Sequence, residues 1–500
     1  MREIRSRLQW PYLKEASVRS IPLLVVAFVL LTPVFCAPAV SAQEDLGVLT
    51  REAGMRGLRI DSVFAPFDNP RSPGCAVGVL EEGRLAFARG YGMANLDHGI
   101  AITSRSIFRI GSVSKQFTAA VVVLLAREGV FSLDDGIRKY FPELPELYSP
   151  ITVRNLLHHT SGIRDYLELM EMRGVGDEAT YTEDDVVRLL SRQKALNFDP
   201  GSQYRYSNSG YLLLSRLVHR TTGMTLRDQA QRLLFEPLGM ERTHFHDDHR
   251  EIVPDRATGY GSGSNGRFFV DQTTLDIVGD GGVFTSIEDL SRWMDNFFEL
   301  SVGGPDWLAT METRGILTNG DTLDYALGLR TGLQRGLPTV GHGGAFVGYR
   351  AATLRYPSEA VSVMVLCNYA RTDPSQMAGE VGEIWLEDRM DPRPDPQAVS
   401  EPPSGTSREE ATTPLLTSDE QRPFLGEYYS EEVDATYRIL RGDDGLVLDV
   451  NDGLTLPLER RGQDTLIGEW LTLTFWIEGG SMAGFRAGSG RAGGIVFTRR

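Results

Sequence analysis

Lysine is nearly absent from this chain of 500 residues: Lys14, Lys115, Lys139 and Lys194 are all there is, and arginine supplies the other fixed positive charges. Acidic side chains outnumber basic ones by 67 to 51, for a formal net charge of −16. That balance argues against a nucleic-acid or anionic-lipid partner held by charge. After residue 42 no apolar run is long enough to suggest a membrane span. Cysteine is scarce, with only Cys36, Cys75 and Cys367. No period of 20 to 50 residues recurs, which excludes solenoid and propeller architectures. What remains is ordinary globular composition, 41% hydrophobic and 24% charged, with length for two or three domains.

The first segment stands apart. Arg2, Arg5, Arg7, Lys14 and Arg19 precede the apolar run LLVVAFVLL, and APAVSA ends at Ala42 with Val40 and Ala42 at the −3 and −1 positions. This pattern predicts a signal peptide over 1–42 and export to the periplasm or the extracellular space. The mature protein is then expected off the membrane; an uncleaved anchor is the alternative. Cys36 leaves with the signal. Cys75 and Cys367 lie in apolar, strand-like runs and are expected as buried free thiols, with a disulfide between them as the other possibility.

Along the mature chain, a helix over roughly 46–64 is followed by a hairpin, GCAVGVL and LAFARGYGMA around the turn EEGR. KQFTAAVVVLLAREG is apolar on most faces, and so a buried helix stopping at Gly129. From about 130 to 275 the pattern is mainly helical, with 165–180 and 258–272 read as loops. Thr285 and Glu288 form a capping-box pattern. Strands return over 325–368, and a helix follows at about 373–388. The expected fold class is α+β, an α/β sandwich: an antiparallel sheet flanked by terminal helices, with a helical lobe inserted over residues 43–390. Residues 391–418 are rich in Pro, Ser and Glu and read as a linker. Residues 419–500 alternate in short strands and predict a small all-β barrel.

The chemistry centres on Arg109–Thr118, RIGSVSKQFT. Serine is a weak nucleophile until a base takes its proton, and a desolvated lysine is such a base. Ser112 and Lys115, three apart, share one helix face. Ser191 and Lys194 repeat the spacing within a solvated helix and lack the preceding glycine. Tyr206 and Asn208 form the only Y-x-N, and His342 and Gly344 the only H-x-G. A tyrosine can relay a proton, an asparagine amide can position lysine and substrate, and glycines let backbone N–H groups approach a substrate oxygen.

With FRIGSVSKQFTAA, ITVRNLLHHTSGI, PGSQYRYSNSGYLLL, LFEPLGMERT and GDGGVFTSIEDLSRW, the chain over about 60–390 resembles the serine β-lactamase and penicillin-binding superfamily. Within it, the nearest likeness is to the branch of class C β-lactamases, D-aminopeptidases, D-alanyl-D-alanine carboxypeptidases and esterases. The resemblance implies an acyl-enzyme on Ser112, with Lys115 as base and Tyr206 as second acid/base. It implies Asn208 as positioner, His342 and Gly344 as third motif, and the N–H groups of Ser112 and Ala345 as oxyanion hole. It implies no cofactor, and a small-molecule or peptide substrate: a D-amino-acid peptide, an ester or a β-lactam. The family's K-T-G is missing and His342 stands in the lysine's place, which argues against efficient β-lactam hydrolysis. The tail resembles barrels that narrow access to the site in D-aminopeptidase-like members.

Two rivals remain at this level. His244, His246, Asp248 and His249 have the H-x-H-x-D-H spacing of a zinc hydrolase. A non-catalytic penicillin-binding-like sensor is the other. His158 and His159 are read as structural.

Overall fold

The structure is a computed structural model that describes residues 51–176, 179–393 and 416–500. The expected signal peptide, the start of the first helix and most of the expected linker lie outside the described residues.

A six-stranded antiparallel sheet carries the larger part of the fold. Its strands are β1 (Cys75–Glu81), β2 (Arg84–Tyr91), β3 (Arg330–Gln334), β4 (Leu337–Phe346), β5 (Tyr349–Tyr356) and β6 (Val361–Cys367), in the order β3-β4-β5-β6-β1-β2. Early and late parts of the chain therefore meet along one seam, β6 against β1. The central strands are apolar at nearly every position because both faces are covered. Val361, Val363 and Val365 pack with Ile60 and Phe64 of α1 (Arg51–Phe64) and Val381 and Trp385 of a C-terminal helix, Pro374–Trp385. Met364 and Leu366 face the other way, into the cluster holding α2 (Lys115–Arg127) and the helix Ile287–Glu299.

The lobe between β2 and β3 contributes α3 (Tyr166–Met172), α4 (Glu183–Ser191) and α5 (Asn208–Thr222). The expected sandwich with an inserted lobe is what forms. Three local expectations change. The 165–180 stretch contains α3, and 258–272 contains the hairpin Tyr260–Ser262 with Phe268–Val270. The helix from Ile287 is capped one residue later than its sequence pattern suggests: Ser286 accepts from Asp289 N, while the Thr285 hydroxyl faces that of Thr243.

Cys75 and Cys367 are not free thiols. They are register partners on β1 and β6 and form a disulfide across the seam. Adjacent antiparallel positions bring the two sulfurs within reach, and that proximity outweighs the apolar setting that suggested inert thiols.

From Gly426 to Arg499, eight strands close into a barrel around Tyr428, Tyr437, Phe475, Phe485 and Phe497. The barrel docks on the lobe. Arg164 Nη1 donates to Glu432 Oε2 at 2.6 Å, and both side chains are almost wholly buried. Glu432 also accepts from the Lys194 and Val496 amides, so its oxygens are satisfied. Tyr437 donates to the Met172 carbonyl, and Asn197 bonds both the Arg491 carbonyl and the Gly493 amide. Removing one member of a buried pair strands the other charge. Arg164→Ala is therefore expected to cost about 3–5 kcal/mol in urea unfolding of the full chain, and Arg164→Met with Glu432→Gln, which removes both charges and keeps an acceptor for the amides, to cost less than Arg164→Ala alone.

Candidate active site

Short strand Phe108–Arg109 ends in a tight turn, Gly111–Ser114, and α2 starts directly after it at Lys115. Gly111 takes φ of +50°, which a residue with a side chain adopts only under strain. At its far side, β4 presses against this turn. A Cβ on Gly344 would lie 2.0 Å from the Ile110 carbonyl oxygen, so only glycine fits. This approach sets Ala345 beside Ser112, and both line a cavity of about 350 Å³ with Tyr206, Asn208 and Asp280.

Lys115 is wholly buried on the first turn of α2. Its Nζ lies 2.7 Å from the Asp280 carbonyl oxygen, 2.9 Å from Asn208 Oδ1 and 3.3 Å from Ser112 Oγ. The first two partners can only accept. A neutral amine has two hydrogens and one lone pair. With both hydrogens so engaged, the lone pair is left for the hydroxyl of Ser112. Burial pushes the Lys115 pKa down to about 8, against the opposing pull of the buried Asp280 and Asp165 carboxylates. The Tyr206 and Tyr211 rings flank the nitrogen at 4.7 and 5.4 Å.

Tyr206 enters from the loop before α5. Burial holds its pKa far above 10, so it is a phenol, with Ser112 as a polar neighbour. Its hydroxyl is buried and has no fixed hydrogen-bond partner among the described residues. Asn208 is the first residue of α5, and its amide donates to Asp165 Oδ2 at 2.7 Å. His342 is buried on β4, and burial with the nearby Lys115 pushes its pKa down to about 3. It is therefore neutral, where the sequence suggested a histidine charged part of the time.

The turn, lobe and β4 thus bring Ser112, Tyr206, Asn208 and Ala345 to one cavity, with Lys115 buried against Ser112, Gly344 pressed on the turn, and His342 lining a separate cavity on β4. Other residues at the site were not singled out from the sequence. Asp165 caps α3 and holds Asn208. Arg491, from the barrel, lines the cavity; its Nη1 lies 3.3 Å from Asp165 and its Nε donates to Glu168 at 2.8 Å. An Asp at the start of a helix is a readable cap signal. Nothing local marks Arg491, more than three hundred positions downstream.

The four candidate metal ligands do not converge as a set: His244 and His246 come together, while Asp248 and His249 turn away. His244 and His246 alternate to one face of a short strand, and His244 Nε2 lies 3.2 Å from His246 Nδ1. Asp248 turns to Arg250 and His249 to Asp276. Glu251 takes the third place, at 3.8–3.9 Å from the two imidazoles, and Arg227 grips both its oxygens. Arg227 and Arg256 add positive charge around these imidazoles, which opposes a cation.

The arrangement is that of a penicillin-binding fold. An octameric penicillin-binding protein homologue from Pyrococcus abyssi superposes with a TM-score of 0.60 at 23% identity, over 89% of this chain and 99% of its own. A D-amino acid amidase from Ochrobactrum anthropi SV3 superposes with a TM-score of 0.58 at 21% identity, over 67% and 99%. The Beta-lactamase family model matches residues 60–381, and the chain belongs to that family. Among curated relatives, a D-aminopeptidase of Gluconobacter oxydans is 30% identical over 59% of this chain and 56% of its own length. A D-aminopeptidase of Brucella anthropi is 30% identical over 60% and 56%. The matched part spans just over half of those relatives.

Lys115 must be neutral to take a proton. Modification of Ser112 by a fluorophosphonate is expected to accelerate with pH and level off above about 8, following the Lys115 amine. Below that the rate should fall about tenfold per pH unit, and Lys115→Arg, always charged, should show no rising limb.

Proposed function

We propose that the protein is an exported serine hydrolase that opens amide bonds through an acyl-enzyme on Ser112. The observation that carries this reading is the apportioning of Lys115. Its Nζ lies within hydrogen-bond distance of Asn208 Oδ1, the Asp280 carbonyl and Ser112 Oγ; once the amine is deprotonated, the two acceptors hold its hydrogens and the lone pair is left for Ser112. Lys115 takes the hydroxyl proton as Ser112 Oγ bonds to the substrate carbonyl carbon. The developing oxyanion is placed against the N–H groups of Ser112 and Ala345. Tyr206 protonates the leaving nitrogen and recovers a proton from Lys115, so the C–N bond breaks without releasing an amide anion. Water then repeats the sequence on the acyl-enzyme and returns Ser112 and the acid.

For the substrate, we propose peptides or amides with a D-residue at a free amino end. The relatives named D-aminopeptidase support this. So does the cavity's charge: Glu168, Glu171 and Asp280 line it against the single guanidinium of Arg491, which Glu168 holds, while His342, in the place of a family lysine, is neutral. An ammonium group suits such a rim better than a carboxylate does. The pattern of residues 1–42 supports export, as does the Cys75–Cys367 disulfide, which persists in oxidising compartments.

Intact-mass analysis after a fluorophosphonate and, separately, a penicillin tests the mechanism. A phosphonyl adduct lost in Ser112→Ala is expected, with no persistent penicilloyl adduct. Turnover of D-alanine p-nitroanilide should exceed that of the L-enantiomer and should fall about 10⁴-fold or more in Ser112→Ala. A stable penicilloyl adduct would move the reading to a D-alanyl carboxypeptidase, and loss of activity in chelator to the zinc alternative. No adduct and no turnover would leave the sensor.

A further inference from the structure

Two backbone groups determine where the hydrogens sit on two buried histidines. The Ser207 amide donates to His159 Nδ1 at 3.1 Å. An amide N–H only donates, so this nitrogen bears a lone pair and the ring hydrogen is on Nε2. On β4, His342 Nδ1 lies 2.6 Å from the Gly343 carbonyl oxygen. A carbonyl only accepts, so this Nδ1 carries hydrogen, and the neutral ring of His342 presents Nε2 as an acceptor. The Tyr325 hydroxyl stands between the two rings, 3.1 Å from His159 Nε2 and 3.1 Å from His342 Nε2. It has one hydrogen. It receives from His159 and gives to His342. From the Ser207 amide through His159, Tyr325 and His342 to the Gly343 carbonyl, every donor meets an acceptor and the direction never reverses.

We propose that His159 and Tyr325 are positioning residues that lock His342 as a neutral imidazole with its hydrogen on Nδ1. The same relay ties β4 to the loop that carries Tyr206 and Asn208. A cationic His342 would aim a second N–H at the Tyr325 oxygen and break the relay. The charged neighbours also oppose it. Lys115 faces both rings from α2 and Arg330 faces them from β3, while burial holds the adjoining His158 below the usual histidine range. Tyr204, Tyr206 and Tyr211 pack around them as phenols. The third motif thus acts as a hydrogen-bonded brace. A substrate carboxylate arriving at β4 meets no cation on this ring. That last consequence rests on the hydrolase reading, whereas the protonation pattern does not.

Ring-nitrogen NMR of the full chain, labelled with imidazole-¹⁵N histidine, tests the lock without any substrate. His159→Gln and His342→Gln serve to assign the signals. His342 is expected as the Nδ1–H tautomer and His159 as the Nε2–H tautomer, neither titrating between about pH 5 and 8. A cationic His342 near neutrality, or the opposite tautomer in either ring, overturns the proposal. Tyr325→Phe should shift the His342 Nε2 signal and lower kcat about 10- to 100-fold with KM little changed. A wild-type kcat in that variant overturns the positioning role. If Tyr325→Phe does not fold, His159 variants decide. A glutamine amide can accept from Ser207 and donate to Tyr325, so His159→Gln should keep far more kcat than His159→Leu. Equal loss in both overturns the role. Absence of turnover in the wild type would count against the hydrolase reading alone.

Discussion

A primary amine shut away from water is the constraint around which this site is built. Burying an ammonium is costly unless its hydrogens are satisfied, and Lys115 finds its acceptors on two different segments, Asn208 on α5 and the carbonyl of Asp280. Asn208 is itself held by Asp165, and Asp165 faces Arg491, which Glu168 secures. Polar contacts therefore run without a break from Ser112 to the barrel. The barrel supplies to the cavity one charge, Arg491, which offsets part of the upward pull of the Asp165 carboxylate on the Lys115 pKa. The same burial that lowers the Lys115 pKa to about 8 keeps His159 and His342 uncharged, since all three share one buried, tyrosine-lined region.

The parts of the site legible in the sequence are those whose geometry is local. Ser112 and Lys115 are three apart across a turn and a helix start. Tyr206 and Asn208 flank a helix start, and Gly344 follows His342 on one strand. In each case a short motif holds the functional groups and the backbone that aims them. Tyr325 and Arg491 carry no such mark, because their partners are set by packing between distant segments, and Asp165 is marked only as a helix cap, with nothing local to name Asn208. The sheet was readable from alternation and from its apolar central strands. The pairing of β6 with β1, and so the disulfide, was not, since nothing in either strand names its neighbour. The histidine cluster, a rival on its spacing, is only partly assembled, for the opposite reason. Its spacing is suggestive, but Asp276 draws His249 away and Arg227 claims Glu251. Proximity in sequence became convergence in space for His244 and His246 only, with Glu251 in the third place.

The disulfide has a topological consequence. It joins residues 292 positions apart, so everything between them, from the nucleophile turn through the lobe to β4, is one covalent ring. A protease that nicks a loop of that ring produces no free fragment: the halves stay joined through sulfur, and separate on a gel only after reduction. Ser112 and His342 lie within the ring, whereas the barrel and Arg491 lie outside it. A cut between Cys367 and Gly426 leaves the barrel attached only by its noncovalent seat, the Arg164–Glu432 pair and its neighbours. Cleavage thus has two outcomes in this molecule, a silent scar in the catalytic ring or a detachable barrel, and the position of one sulfur bridge separates them.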